Sequence, residues 1–189
     1  ARRPYQSSSV TKEPTKLVAG FLDILMHLLE ARKPEYLVVA LDVSSDTGTF
    51  RSEIDPEYKM NREKAPDDFH PQVERCLQLL KAMGVPILGA EGAEADDVIA
   101  TLATRLERDQ PELNVTVISA DKDLAQIINP RTEIYDPQRD VQRTPEDIFK
   151  TEGVKAHHVI DVLSLMGDSV DNIPGVPGIG PKTAAKLIL

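Results

Sequence analysis

A chain of 189 residues with 41% hydrophobic content is long enough to bury a substantial core, and its composition excludes a disordered or low-complexity protein. Its longest apolar runs, such as residues 37–41, are far too short to span a bilayer, and the start Ala1-Arg-Arg-Pro4 lacks the apolar stretch of a secretory signal. The net charge of −9 argues at first against a polyanionic partner, but it is unevenly spread. Residues 1–64 hold ten Lys/Arg and ten Asp/Glu, so the whole acidic excess lies in residues 65–189. Much of that excess sits at the ends of apolar segments, where bound divalent ions would invert the local field and leave nucleic acid an admissible partner. One cysteine, Cys76, excludes an internal disulfide framework and suits a reducing cytoplasm, the expected location.

Residues 1–15 are polar and read as a loop. Leu17, Phe21, Ile24, Leu25, Leu28 and Leu29 recur at helical spacing and predict a helix over 15–31, stopped by Pro34. Residues 36–41 are a continuous apolar run of strand length, as expected of a strand covered on both faces, and Asp42 closes it. Residues 43–70 are charged and lack an amphipathic period. A solvated loop is the plain reading, yet about 28 residues is long for a connection inside a compact domain. Helices are predicted at 71–83, ended by Gly84, and at 94–108, with short strands at 85–88 and 115–118. Cys76 keeps helical phase with Val73, Leu77 and Leu80 and reads as a core thiol. A helical turn at 124–128 and an edge strand at 132–135 follow. Thr144-Pro-Glu-Asp147 has the residues of a capping box with proline in the first turn, and 158–166 reads as a further helix. Strands alternating with helices indicate an α/β fold with a mostly parallel central sheet flanked by helices. In such sheets sites form beyond the carboxyl ends of strands, where Asp42, Asp121 and Asp123 fall.

Taken singly, Glu94, Asp96 and Asp97 at a helix start could cap free N–H groups, and Asp121 and Asp123 could form a turn. Asp168 and Asp171 resist that treatment. They follow the C-terminal end of an apolar helix, where negative charge is disfavoured, and call for a metal or an arginine beside them. His157 and His158 read as a helix start rather than as ligands. Clustered carboxylates cannot all stay ionised without counter-charge, and an oxygen-only set suits Mg²⁺ or Mn²⁺ rather than zinc. Two such ions ~3.5–4 Å apart can activate water and stabilise a leaving oxygen in phosphodiester hydrolysis. Downstream, Asn172-Ile-Pro-Gly-Val-Pro-Gly-Ile-Gly-Pro-Lys-Thr-Ala184 places Gly175, Gly178 and Gly180 before a helix opened by Pro181. Backbone N–H groups there, with Lys182 beside them, would bind phosphate without reading sequence; a plain turn is the alternative, but the spacing fits a helix-hairpin-helix.

The motifs Val39-Ala-Leu-Asp42, Phe50-Arg51 with Tyr58-Lys59 and Arg62, Glu94-Ala-Asp-Asp97, Asp121-Lys-Asp123, Gly167-Asp-Ser-Val-Asp-Asn172 and Gly178-Ile-Gly-Pro-Lys-Thr183 stand together in this order. In these motifs the chain resembles the 5′-nuclease domain found at the N-terminus of bacterial DNA polymerase I, within the flap endonuclease family. The resemblance covers nearly the whole sequence. It implies a PIN-like nuclease core over 1–155 with a helical arch at about 43–70, and the start of a helix-hairpin-helix region over 156–189. It implies a two-metal enzyme acting on 5′ ends and 5′ flaps of branched or nicked DNA and on RNA primers paired to DNA. Asp42, Glu94 and Asp96 would serve a first Mg²⁺ or Mn²⁺ ion, Asp121, Asp123, Asp168 and Asp171 a second, with Asp97 near both. Arg51, Tyr58, Lys59 and Arg62 would meet DNA, Lys59 and Arg62 acting at the scissile phosphate. Gly178, Gly180, Lys182 and Thr183 would hold the downstream duplex, with K⁺ at the hairpin. A monomer fused to polymerase domains is expected. The family begins with a strand ending in a metal-binding aspartate, which would lie upstream of Ala1. The sequence, which also stops at Leu189 inside the last helix, is therefore expected to be a fragment that binds metal more weakly and cuts poorly or not at all. The alternatives are a non-catalytic module for branched DNA and a smaller acidic-cluster ribonuclease.

Overall fold

The computed structural model describes residues 14–43 and 48–189. The loop expected over 1–15 therefore lies almost wholly outside the described residues. The chain forms two units, one from residues 1–41 with 63–88 and one from residues 42–62 with 89–189.

In the first unit, helix α1 (Lys16–Arg32) packs on helix α3 (Phe69–Ala82). Val18 and Leu25 of α1 and Cys76 and Leu80 of α3 are buried. Gln72 is the polar residue that closes this helix pair. Its Oε1 accepts the Leu17 N–H at 2.9 Å while its Nε2 donates to the Asp68 carbonyl at 3.0 Å, so burial leaves neither end unpaired. α1 stops where Lys33 turns left-handed and returns its N–H to the Leu29 carbonyl, one residue before Pro34. Strands β1 (Val39–Ala40) and β2 (Ile87–Leu88) pair in parallel. The six-residue apolar run thus contributes only two residues of ladder. Pro86, ahead of β2, can accept from the Val39 N–H but has no N–H to return, so the ladder cannot extend in that direction.

The second unit holds helix α2 (Phe50–Ile54), helix α4 (Ala95–Asp109), strand β3 (Val115–Ile118), strand β4 (Thr132–Asp136), strand β5 (Val141–Arg143) and helices α5 (Pro145–Glu152), α6 (Val159–Met166) and α7 (Pro181–Ile188). Strand β4 runs parallel to β3, with Val117 beside Ile134, and antiparallel to β5, with Tyr135 beside Gln142. The stretch expected as an edge strand is therefore the middle strand of its sheet. The parallel pairing of β1 with β2 and of β3 with β4 is the one expected; among the described residues the first unit holds a two-stranded ladder and the second a three-stranded one. A core of Val117, Leu124, Ala125, Ile128, Ile134, Ile148, Val154, Val159 and Val162 ties the sheet to α5 and α6, and Ala184 of α7 joins it. The capping box of α5 forms as read: Asp147 N–H donates to Thr144 Oγ1, and Thr144 N–H to Asp147 Oδ2 at 3.1 Å. Among the described residues no helix is long and apolar enough to cross a membrane.

Among the described residues, the stretch read as an arch holds one short helix, α2, followed by tight turns through residues 56–61, and ends in the first residues of α3. Beyond α6 the chain doubles back. Gly167 and Gly175 lie back to back: a Cβ on Gly175 would fall within 3.0 Å of the Met166 carbonyl and 2.6 Å from the Gly167 nitrogen. Only residues without side chains permit that approach. An antiparallel bridge from Asp168 to Ile173 closes the loop between them, and α7 then starts at Pro181 and packs on α6.

Candidate active site

Glu94, Asp96, Asp97, Asp121, Asp123, Asp168 and Asp171, seven of the eight carboxylates singled out by sequence, influence one another in the second unit. Glu94 precedes α4 and is buried, with Asp96 and Asp97 in the first turn of that helix. Asp121 follows β3, and Asp123 opens the 3-10 turn after it. Asp168 and Asp171 lie in the loop beyond α6. Burial, followed by the charges of Asp121 and Glu94, pushes Asp96 up to about 6. Burial, followed by Asp121, also raises Asp123, with Asp168 and Asp171 contributing. Local structure stiffens the set. Asp121 Oδ1 accepts the Asp123 N–H at 2.8 Å, Ser119 Oγ accepts the Asp121 N–H at 3.0 Å, and Asp168 Oδ1 accepts the Val170 N–H at 2.8 Å. Asp42 lies exposed two residues past β1.

Cations from α2 and the turn after it reach this cluster. Arg51 grips Asp97 with two hydrogen bonds of 2.7 Å, which hold the Asp97 carboxyl below its ordinary range. Asp97 Oδ2 also accepts the Glu94 N–H at 2.9 Å. Lys59 Nζ donates to Glu94 Oε2 at 2.6 Å. Burial opposes the Lys59 ammonium, but its bonds to Glu94 and Tyr58 outweigh that and leave its pKa raised. The Tyr58 hydroxyl lies 3.3 Å from Glu94 Oε2 and 3.4 Å from Asp171 Oδ2, and burial raises its pKa. Arg62 donates to Asp171 Oδ1 at 2.5 Å. Every basic residue assigned by sequence to DNA contact in this stretch thus faces a carboxylate assigned to metal.

Lys122 was not given a role by its sequence position between two acids. Its Nζ lies 2.8 Å from Asp168 Oδ2. Although burial works to raise it, Asp168 is held below its ordinary range by that ammonium and by backbone N–H groups. The positive charge expected beside Asp168 and Asp171 is supplied by Lys122 and Arg62.

The residues fit a hard divalent cation in their chemistry. The donors are all carboxylate oxygens, two of the acids are pushed toward neutrality, and Asp123 Oδ1 is buried without a hydrogen-bond partner. Among the described residues, however, no three His, Cys, Asp or Glu side chains converge closely enough to form a ready metal group. Glu94, Asp97, Asp168 and Asp171 are each turned toward a Lys or Arg.

The hairpin residues form a separate patch. Gly178 has φ +79°, Gly180 directly precedes α7, and Lys182 and Thr183 are exposed in its first turn. Thr183 N–H donates to the Gly180 carbonyl at 3.0 Å. His158 directly precedes α6 and pairs with Asp161 at 3.2 Å, which fits the helix-start reading.

Residues 1–158 match a family model described as a 5′-3′ exonuclease N-terminal resolvase-like domain, and residues 154–189 match a 5′-3′ exonuclease C-terminal SAM fold. A 5′-3′ exonuclease of Aquifex aeolicus is 40% identical over 175 residues, covering 93% of this chain and 59% of that protein. A DNA polymerase I of Bacillus subtilis is 41% identical over 181 residues, covering 92% of this chain and 20% of that protein. The chain therefore spans under two thirds of these relatives. Among solved structures, a bacteriophage T5 protein co-crystallised with metal ions superposes with TM-score 0.79 at 23% identity, over 91% of this chain and 67% of that one. The catalytic core of Rad2 with DNA superposes at 0.59 and 21% identity, over 92% of this chain and 52% of that one. At these identities the likeness is one of fold.

Proposed function

The chain belongs to the 5′-3′ exonuclease family, and from that premise we propose that it is a divalent-metal-dependent nuclease hydrolysing phosphodiester bonds at 5′ ends and 5′ flaps of branched or nicked DNA. The observation that carries the reading is the acidic cluster with Lys59 and Arg62 laid against it. Lys59 and Arg62 are cations positioned where a phosphate backbone would compete for them with Glu94 and Asp171. Arg51 holds Asp97 in place, and Tyr58 offers a hydroxyl and an aromatic face beside the same acids. Asp42, Glu94 and Asp96 would hold one Mg²⁺ or Mn²⁺ ion, and Asp121, Asp123, Asp168 and Asp171 another, with Asp97 near both. When bound, such ions supply Lewis acidity and a nucleophilic water at neutral pH. The start of α7, through its backbone N–H groups with Gly178, Gly180, Lys182 and Thr183, would bind duplex phosphates without reading sequence, with K⁺ at the turn.

On this reading residues 1–155 are the nuclease core and 156–189 the duplex-binding element. The protein is a cytoplasmic monomer linked to polymerase domains and removes RNA primers and flaps. The test is cleavage of a labelled 5′-flap duplex with Mg²⁺, Mn²⁺ or EDTA. Metal-dependent cutting that falls at least 100-fold in Asp121→Ala and Asp168→Ala is expected. Salt-sensitive flap binding with no cutting under any metal, even when the family's first strand is supplied, would favour a non-catalytic DNA module instead, and preference for RNA would favour a ribonuclease.

A further inference from the structure

The turn that carries Lys59 and Arg62 is fastened to the loop that carries Asp168 and Asp171 by bonds that involve no charged side chain. Lys59 N–H donates to the Asp171 carbonyl at 3.0 Å. Asn172 Nδ2 donates to the Glu57 carbonyl at 2.8 Å, and Asn61 Nδ2 donates to the Ser169 carbonyl at 2.9 Å. Two of the three bonds run from the turn to the loop and one runs back. Both strands of this clasp are bent for it: Lys59 and Asn172 are left-handed, with φ +58° and +59°. Such a conformation is uncommon outside glycine, and asparagine tolerates it best. Each segment is also closed on itself, the turn by Arg62 N–H to the Lys59 carbonyl at 3.0 Å and the loop by the Asp168–Ile173 bridge.

We propose that Asn61 and Asn172 are positioning residues. Their amides dock the basic turn on the carboxylate loop and set Lys59 and Arg62 in register with Glu94 and Asp171. This rests on the functional reading above for its consequence in cleavage, but the docking stands on the hydrogen bonds alone. The Arg62–Asp171 ion pair, with Arg62 half exposed, does not fix a geometry well by itself, because a long exposed side chain keeps several rotamers and salt screens it. Neutral amide bonds to backbone carbonyls are directional and insensitive to salt. Lys59 and Arg62 can then exchange a carboxylate for a DNA phosphate while the turn that bears them stays in place.

The experiment compares the chain with Asn172→Gly and Asn61→Ala. Glycine at 172 removes the amide and keeps the left-handed backbone without strain, so loss of folding does not confound the result. Hydrogen exchange is followed at Lys59 N–H and across residues 57–62, with β3 and β4 as internal reference. Exchange of Lys59 N–H at least 10-fold faster in Asn172→Gly, with the reference strands unchanged, is expected. In flap cleavage with saturating metal, kcat should fall about 10-fold while KM stays within about 2-fold, and 0.3 M salt should not abolish the difference. Unchanged exchange at Lys59 in both variants would overturn the docking. Faster exchange with wild-type kcat would overturn the positioning role. A wild-type chain that cuts nothing even when the family's first strand is supplied would instead count against the functional reading, and the exchange data would still judge the clasp.

Discussion

Gly175 offers the sharpest structural test. An alanine there would set its Cβ within 3.0 Å of both the carbon and the oxygen of the Met166 carbonyl and 2.6 Å from the Gly167 nitrogen. These are backbone atoms, so no side chain can swing aside. The two strands of the hairpin must separate, which strains the Asp168–Ile173 bridge and the Val176 N–H bond to the Leu165 carbonyl, 2.8 Å long. Overpacking costs about 1–3 kcal/mol where side chains can adjust, so a rigid clash belongs at about 3 kcal/mol. For a chain of this length that lowers Tm by about 6–12 °C. Gly180→Ala is the control, because a Cβ there meets nothing within 4 Å and the backbone is extended at φ −98°. It should change stability by less than about 0.5 kcal/mol. Thermal and urea unfolding of the two variants, run beside the parent, decide the matter. Gly175→Ala with parental stability, or Gly180→Ala equally destabilised, would refute the argument that glycine is kept at 175 for close backbone approach.

Three further outcomes are expected of the protein. Asp96 has its folded pKa raised to about 6 from 3.8, so ionising it opposes folding: the penalty is absent below about pH 4, grows through pH 4–6 and is complete above 6. Asp96→Asn should therefore stabilise the metal-free protein by about 1 kcal/mol at pH 7, after allowance for solvent screening, and by nothing at pH 4, read by urea melts at both pH values. Ile148 is 1% exposed in the main core, and Ile148→Ala should cost about 2–5 kcal/mol in urea unfolding. Cys76 is buried and burial pushes its thiol up, so a thiol reagent should label it only after denaturant is added.

Periodicity and punctuation made most of the helices legible. The helix read at 94–108 forms at Ala95–Asp109, and the strand at 115–118 is unchanged, because each carries its own apolar pattern. β4 was read as an edge because its outer neighbour, Val141-Gln-Arg143, is three residues long and mostly solvated, with no alternation to reveal it. β1 is shorter than its apolar run because its partner begins after Pro86, a restriction located some fifty residues away in sequence. The acids were legible as a group because Asp168 and Asp171 follow a helix C-terminus, where negative charge is disfavoured, and because the α/β order brings strand-end acids together. Their pairing was not. The Lys59–Glu94, Arg62–Asp171 and Lys122–Asp168 bonds join residues brought together only by the fold, and so do Asn61 with Ser169 and Asn172 with Glu57.

The bridge between Asp168 and Ile173 has a thermodynamic consequence of its own. Both residues exchange backbone bonds, Asp168 N–H with the Ile173 carbonyl at 2.9 Å and Ile173 N–H with the Asp168 carbonyl at 2.7 Å. The segment carrying Asp168 and Asp171 is thereby a small ring, tied at its ends before any ligand arrives. The entropy of closing it is lost during folding, not during binding. A cation or phosphate that engages this ring meets carboxylates on backbone that is already ordered, so the binding free energy is not diminished by arranging the chain.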